Sequence, residues 1–406
     1  MDKNKIKDVF QSLLSWIFLG ILIGIPIGLA SAVFLYSLDF VTEWRETNLW
    51  IIIFLPVIGL LISFIYSTIG KESDPGTNRI LMEYFLPHKA LPVLMAPLIL
   101  ITTLLTHLVG GSAGREGTAL QMGAAIADRF HCLGEKFHQN RSLFILAGMG
   151  AGFASLFNTP WAGAIFAIEI VRRNGINWLA VIPSLITSFS AYFTCLLTKA
   201  PHTHYNPISS IDLGIENIAY LTGAAVLFGL TALLYIKTHH LFSWSAKLII
   251  PNKIWRPFYG GIVLCIVFIS IGNSRYMGLG IPTIMESFEE QLHFSDFILK
   301  LLLTAFTLSI GFKGGEVTPL FFMGATLGSA LTIFVPLPLA FMAAVGFLAV
   351  FAGATKTFLA CSVMGIELFG WEAFPYFLVS CLIAQMFSGK NGIYDNLNNS
   401  VGLLRI

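Results

Sequence analysis

Arg115 and Glu116 sit side by side in the stretch GSAGREGTALQMG, residues 111–123, between glycines and in a chain where only 11% of residues are charged. A carboxylate is costly in an apolar setting, so one kept there is either tied to a neighbouring charge or works with protons and ions. A comparable stretch, GFKGGEVTP at 311–319, carries Glu316 near Lys313, and a third, DPGTNRI at 74–80, opens on Asp74. Each is broken by glycine or proline, and each precedes an apolar run that reads as a helix. Helix starts leave N–H groups unpaired and carry partial positive charge, so several starts brought together make an anion site without a full cation. The glycines let an ion approach the backbone, and Thr77, Thr118 and Thr318 add hydroxyl donors. A small anion is the natural ligand.

Glu116 stands at the start of its run, where the helix dipole favours a negative side chain and where its oxygens accept the bonds an anion would accept. Ionised, it occupies the anion site itself; protonated, it loses its charge and should leave. A plain N-cap carboxylate, or one neutralised by Arg115, fits the same residues. Glu316 is open in a similar way: a structural bridge to Lys313 three residues back, or a second proton-linked carboxylate. Glu169, followed at helical spacing by Arg172 and Arg173, reads as a salt-bridged helix end.

The elements that must position these groups are membrane helices. The 406 residues are 56% hydrophobic with a mean hydropathy of +0.78, too apolar for an ordinary soluble domain. Runs such as IFLGILIGIPIGLASAVFLYSL and IIIFLPVIGLLISFIYSTI are continuous at about the 20 residues a spanning helix needs, unlike the alternating segments of a barrel. Lys3, Lys5 and Lys7 precede the first span, Arg45 falls in the short loop expected after it, and Lys71, Arg79 and Lys89 follow the second. That order predicts a cytoplasmic N-terminus and a multi-pass protein of the cell membrane, with no cleavable signal.

The remaining candidates are weak. Cys132, Cys195, Cys265, Cys361 and Cys381 are scattered singly and read as small membrane hydrophobes; His202/His204 and His239/His240 read as interfacial polar residues. No metal site or cofactor is expected, and the net charge of +2 has no basic cluster that points to nucleic acid. HExxH, GxSxG and GxxxxGK[ST] patterns are absent, so an enzyme is not indicated.

The halves resemble one another. RILMEYF matches PTIMESF with Glu83 and Glu286 203 residues apart, GREGTAL matches GGEVTPL with Glu116 and Glu316 200 apart, and AIFAIEI matches SVMGIEL with Glu169 and Glu367 198 apart. Three collinear matches predict one transmembrane domain over 1–406 made of repeats, about 10–200 and about 210–406, joined near KAPHTHYNPISSID.

Taken together, these residues resemble the CLC family of anion channels and proton-coupled anion antiporters over about Ile17 to Tyr394. GREGT resembles that family's Gly-Arg/Lys-Glu-Gly-Pro signature, GGEVTP its Gly-x-Phe-x-Pro signature, and NTPWAGAIFAIEI at 158–170 the helix that follows the first of these. The resemblance implies an all-α fold of two inverted-topology helical repeats whose broken helices meet at a central anion site. The departures are informative. The family's Gly-Ser-Gly-Ile-Pro signature aligns with Pro75, Gly76, Thr77 and Asn78, so its chloride serine is absent; Thr118 replaces a proline, Val317 a phenylalanine, and Ile170 an internal proton glutamate.

That pattern resembles the fluoride branch of the family. It implies fluoride export driven by inward proton flow, in a lipid-embedded homodimer with one pathway per subunit. By resemblance, Glu116 is the gating and proton-carrying residue and Tyr394 the pathway tyrosine. Thr77, Asn78, Gly117, Thr118, Val317 and Thr318 are expected to surround the anion, with Phe322 presenting its ring edge and Glu316 as a candidate second carboxylate. A chloride/proton antiporter or a passive channel of the same fold is the alternative. No soluble C-terminal regulatory domain is expected, since Ile406 follows soon after Tyr394.

Overall fold

The computed structural model describes residues 3–136, 140–171, 175–208 and 214–394. The side chains of Lys3, Lys5 and Lys7, together with Arg172, Arg173 and residues 209–212 of the expected linker, lie outside the described part. Among the described residues the chain is helical, with one isolated β-bridge.

The order of helices repeats. The first half runs α1 (Lys3–Thr47), α2 (Leu55–Thr68), α3 (Thr77–Phe85), α4 (Met95–Leu108), α5 (Glu116–Ala127), α6 (His131–Lys136), α7 (Arg141–Phe157), α8 (Pro160–Glu169) and α9 (Val181–Leu197). The second runs α10 (Ile215–Ile249), α11 (Arg256–Ile271), α12 (Ile281–Glu289), α13 (Phe294–Ser309), α14 (Val317–Leu331), α15 (Leu339–Thr355), α16 (Phe358–Phe369) and α17 (Phe374–Phe387). Apart from the short α6, each helix of the first half has a counterpart in order, long with long and short with short. Even the caps recur: α7 ends on Asn158 and α15 on Lys356, both left-handed, at φ 60° and 66°.

Continuous spanning runs are fewer than the apolar sequence leads one to expect. Only four described helical stretches, Leu13–Thr47, Leu49–Thr68, Trp178–Leu197 and Glu216–Ile249, are long and apolar enough to cross a membrane. Most of the others have 10–17 residues, and the 12 residues of α5 reach only about 18 Å at 1.5 Å per residue, little more than half of a bilayer core. Their ends therefore fall inside the protein, where the glycine breaks place them. The long helices shield them. α1 buries Trp16, Leu19, Ile23 and Ile27 and exposes Phe18, Ile21, Ile25 and Val33, an apolar outer face suited to lipid rather than water. Arg45, expected in a loop, is instead in the last turn of α1, 2% exposed, with its guanidinium donating to the His107 carbonyl at 2.9 Å. A buried cation of this kind gives no information about which side the helix end faces.

Glycine sets how closely the short helices approach. A Cβ on Gly123 of α5 would collide with the carbonyl of Gly148 in α7, and one on Gly324 of α14 with that of Gly346 in α15, the same contact in each half. At the outer ends of the halves, carboxylates are exchanged. Glu169 at the end of α8 accepts the N–H groups of Leu359 and Ala360 at the start of α16 (3.2 and 2.8 Å), and Glu367 of α16 accepts those of Trp161 and Ala162 at the start of α8 (3.0 and 2.8 Å). Each half thereby caps the other's helix.

The local symmetry corrects the sequence register by one residue. The bridge joins Gly114 to Gly315, α5 starts at Glu116 and α14 at Val317. The counterpart of Glu116 is therefore Val317, and that of Glu316 is Arg115; the identical letters were one step out of phase with the backbone. Replacing Gly123 with Ala is expected to push α5 from α7 and cost about 1–3 kcal/mol, read as a lower thermal midpoint in detergent; Gly214→Ala, at φ −59° with nothing near a Cβ, is the control for handling effects.

Candidate functional site

Two glycine breaks meet back to back at the centre. Gly114 N–H donates to the Gly315 carbonyl at 2.6 Å and Gly315 N–H to the Gly114 carbonyl at 2.7 Å, an antiparallel bridge that sets the first turns of α5 and α14 against each other. A Cβ on Gly315 would lie 2.7 Å from the Gly117 nitrogen and 2.9 Å from Oε2 of Glu116, so only glycine allows this approach. Glu116, fully buried, folds its carboxylate into the junction. Oε2 accepts the Arg115 N–H at 3.0 Å, Oε1 accepts the Thr318 hydroxyl, and the N–H groups of Glu116 and Thr318 lie beside it. Donors from both helix starts thus converge on one carboxylate, the coordination an anion would receive.

Arg115 does not neutralise it. The guanidinium turns away, 5.8 Å from the centroid of the Phe157 ring, and its Nε makes no hydrogen bond. It lines a cavity of about 260 Å³ with Asp39, Glu43 and Glu46 from the last turns of α1 and with His202. Three carboxylates and Arg115 thus line this cavity, and one of them, Glu46, is also paired with Arg45 at 3.4 Å.

A second cavity, of about 240 Å³, is lined by Gly117 and by Tyr66 near the end of α2. Thr77, Asn78, Glu316 and Tyr394 also line it. The three breaks noted in the sequence are thus brought together, and the residues that flank Glu116 in sequence, Gly117 and Arg115, line one cavity each.

Not every expected residue faces this space. Thr118 is buried with its hydroxyl 2.7 Å from that of Thr103, a pairing within the core. Val317 is buried at the position equivalent to Glu116 and lines neither cavity. Thr318 acts on Glu116 directly. Phe322 is displaced from the expected place: fully buried, it packs under Gly280 at the start of α12, 6.2 Å from the Tyr276 ring. The reason is symmetry. Its counterpart one half earlier is Gln121, and Gln121 is the side chain that faces Gly76 at the start of α3, its Nε2 3.4 Å from the Thr77 hydroxyl.

Of the two readings of Glu316, the bridge to Lys313 is not formed. Lys313 is bound to Asp74, with Nζ to Oδ1 at 2.9 Å, and makes no bridge to Glu316. Glu316 is half-buried and has no ion pair among the described residues. Its neighbour is the buried hydroxyl of Tyr235, which itself completes no hydrogen bond. Tyr394 is half-buried beside them, edge-on to Phe166 at 6.5 Å.

Other polar groups at the centre escaped the sequence reading. Lys300, fully buried, donates to the carbonyls of Tyr276 and Gly278 at 3.1 and 2.7 Å and stands 5.2 Å from the Phe322 ring centroid. His107, also fully buried, has Nε2 3.4 Å from the Gly114 carbonyl. Single lysine, arginine and histidine residues inside apolar helices were the available signal. Among the described residues no group of His, Cys, Asp or Glu is arranged to hold a metal ion.

Comparison with known proteins identifies the family and the fold. The model of the family described as voltage gated chloride channel matches residues 58–389. A chloride/fluoride channel protein of Pseudomonas syringae pv. tomato is 39% identical over 393 residues, covering 95% of this chain and 87% of the relative. The crystal structure of a CLC-type fluoride/proton antiporter superposes with a TM-score of 0.90 at 35% identity, covering 94% of this chain and 97% of that one. A slow cyanobacterial chloride/proton antiporter shares the fold at a TM-score of 0.80 and 21% identity, over 96% and 98% of the two chains.

The donor set around Glu116 has a direct consequence. Thr318→Val removes one hydroxyl bond to a charged group at nearly constant volume, so a loss of about 1.5–3 kcal/mol is expected, seen as a lower thermal midpoint in detergent at a pH where the carboxylate is ionised. An unchanged midpoint would show that the hydroxyl holds nothing.

Proposed function

The chain belongs to the voltage gated chloride channel family, as a multi-pass membrane transporter of the CLC fold, and from that premise we propose that it exports fluoride in exchange for protons. The observation that carries this reading is the Glu116 carboxylate, buried and held by donors from two helix starts, with its sequence neighbours Arg115 and Gly117 each lining a separate cavity. In the proposed cycle a proton arrives through the acidic cavity by Arg115 and neutralises Glu116. The neutral side chain gives up the charge-assisted bonds it made as a carboxylate, and the freed N–H groups and the Thr318 hydroxyl take a fluoride from the cavity lined by Thr77, Asn78 and Tyr394. Release of the proton on the far side returns the carboxylate, which displaces the anion. Glu116 is gate and proton carrier at once.

Fluoride suits such donors. It is small, basic and strongly hydrated, so only close, strong hydrogen-bond donors replace its water. Glu316 completes the proposal as a second proton-linked carboxylate in the same cavity as Tyr394. The face where α1 begins is assigned to the cytoplasm, and the functional unit is a homodimer with one pathway per subunit. A passive channel is the second reading, favoured by the name of the Pseudomonas relative, a chloride/fluoride channel protein. A permanently open pore, however, gains nothing from a titratable side chain lodged in its narrowest point.

Reconstituted vesicles decide between them. With fluoride and chloride electrodes and a pH electrode read together, fluoride efflux should outpace chloride and be accompanied by proton uptake. Efflux without proton movement would establish the channel, and equal chloride efflux would remove the selectivity. Glu116→Gln, isosteric and not ionisable, is expected to abolish coupled proton movement and reduce turnover by at least about 100-fold, the scale of losing a positioned proton-transfer group. Glu316→Gln should weaken coupling, and normal coupling in that variant would return Glu316 to a structural role.

A further inference from the structure

One charged group near the transport cavity has no part in that cycle. Lys313, in the connection between α13 and α14, lines the cavity of Thr77 and Tyr394, with its ammonium 4.1 Å from the centroid of the Tyr66 ring. It donates to both the side chain and the carbonyl of Asp74, at 2.9 and 3.2 Å. Asp74 precedes α3 and is also bound by Lys253, from the connection between α10 and α11. A single carboxylate therefore ties three loops together at the mouth of the cavity.

Behind this knot lies a further cavity of about 270 Å³, and Tyr66, Asp74 and Lys313 form part of both walls. Lys247, Lys253 and Arg256 also line it, so four cations surround one carboxylate. Arg256 is occupied by the carbonyls of Ile250 and Pro251 at 2.7 and 2.8 Å, which fixes the loop bearing Lys253. The three lysines have more donors than Asp74 can take. An ammonium has three N–H groups, and those of Lys313 have only Asp74 as a hydrogen-bond partner among the described residues.

We propose that this basic antechamber recruits small inorganic anions, and that Lys313 passes them into the transport cavity by exchanging Asp74 for the ion. Clustered positive charge at a constriction raises the local concentration of anions and their rate of entry. Asp74 keeps the lysine from becoming a trap: an arriving anion replaces an existing partner, so capture and release are both close to balanced. The inference rests on the reading of the neighbouring cavity as an anion pathway.

Fluoride efflux from phosphatidylcholine vesicles loaded with graded sodium fluoride tests it. The Lys247→Gln, Lys253→Gln double variant, which leaves Lys313 and Asp74 in place, is expected to raise the apparent KM about three- to tenfold with kcat retained, and to flatten the dependence of KM on ionic strength. Because Lys313→Met alone leaves Asp74 less well paired, it is read beside the doubly neutral Lys313→Met, Asp74→Asn, which should fold and show the same rise in KM. Asp74→Asn alone should lower KM and slow turnover. Wild-type KM and ionic-strength dependence in the lysine double variant and in the neutral pair would overturn the antechamber while leaving transport intact. Failure of the wild-type protein to move fluoride would instead overturn the transport reading. If KM changes with added phosphatidylglycerol in the wild type but not in the lysine double variant, the cavity holds a lipid headgroup and the recruitment proposal falls.

Discussion

Two backbone hydrogen bonds between Gly114 and Gly315 govern the centre of this protein. They bring the N-terminal turns of α5 and α14 to the same place, and no side chain other than hydrogen fits between them. Two helix starts in contact would leave several N–H donors facing one another, an arrangement that costs several kcal/mol in a dry interior unless an acceptor is supplied. Glu116 is that acceptor. The surrounding structure keeps these donors at fixed separation: the closely packed Gly123/Gly148 and Gly324/Gly346 contacts hold each half together, and the exchanged carboxylates of Glu169 and Glu367 join the halves.

The frame is symmetric and the chemistry is not. At equivalent positions stand Arg115 and Glu316, Glu116 and Val317, Gln121 and Phe322. Two of these pairs set a polar group against an apolar one and the third sets a cation against a carboxylate, so a two-fold scaffold ends with a single carboxylate in its central junction and with cavities of different lining. One has Asp39, Glu43 and Glu46 around Arg115; the other leads past Lys313 and Thr77. A central site with identical sides would bind ions without direction. Different side chains at matched positions give it one.

Much of this was legible in the sequence because the costly features are local. Glycine and proline before an apolar run, together with an isolated carboxylate, mark a broken helix wherever the membrane forbids unpaired backbone, and the three stretches at 74–80, 111–123 and 311–319 do meet in space. What was not legible depends on registration across the repeat. Matching Glu116 to Glu316 maximises letter identity, whereas the helices begin one residue apart from that alignment; Phe322, expected at the anion by resemblance, packs instead at the start of α12. Lys313 was visible, and a bridge to Glu316 three residues on was one open reading; its partner Asp74 lies 239 residues away. Arg45 looked like a loop residue because nothing in a single helix shows that a neighbouring carbonyl, that of His107, awaits it.

A carboxylate in this position has a physical advantage over any fixed cation. A buried lysine at the junction would bind an anion more tightly and for that reason release it slowly, while bare N–H donors would carry an unfavourable desolvated state between ions. With Glu116 present, the donors are satisfied whether the ion is bound or not, so binding becomes an exchange of one acceptor for another. In the proposed cycle the energy separating the two states is set by the charge on Glu116, so a single proton would control it. The same logic extends to the proposed antechamber, where Asp74 is the partner that Lys313 holds in this structure. Under that reading coupling has one physical basis: no donor would lose its partner before another is at hand.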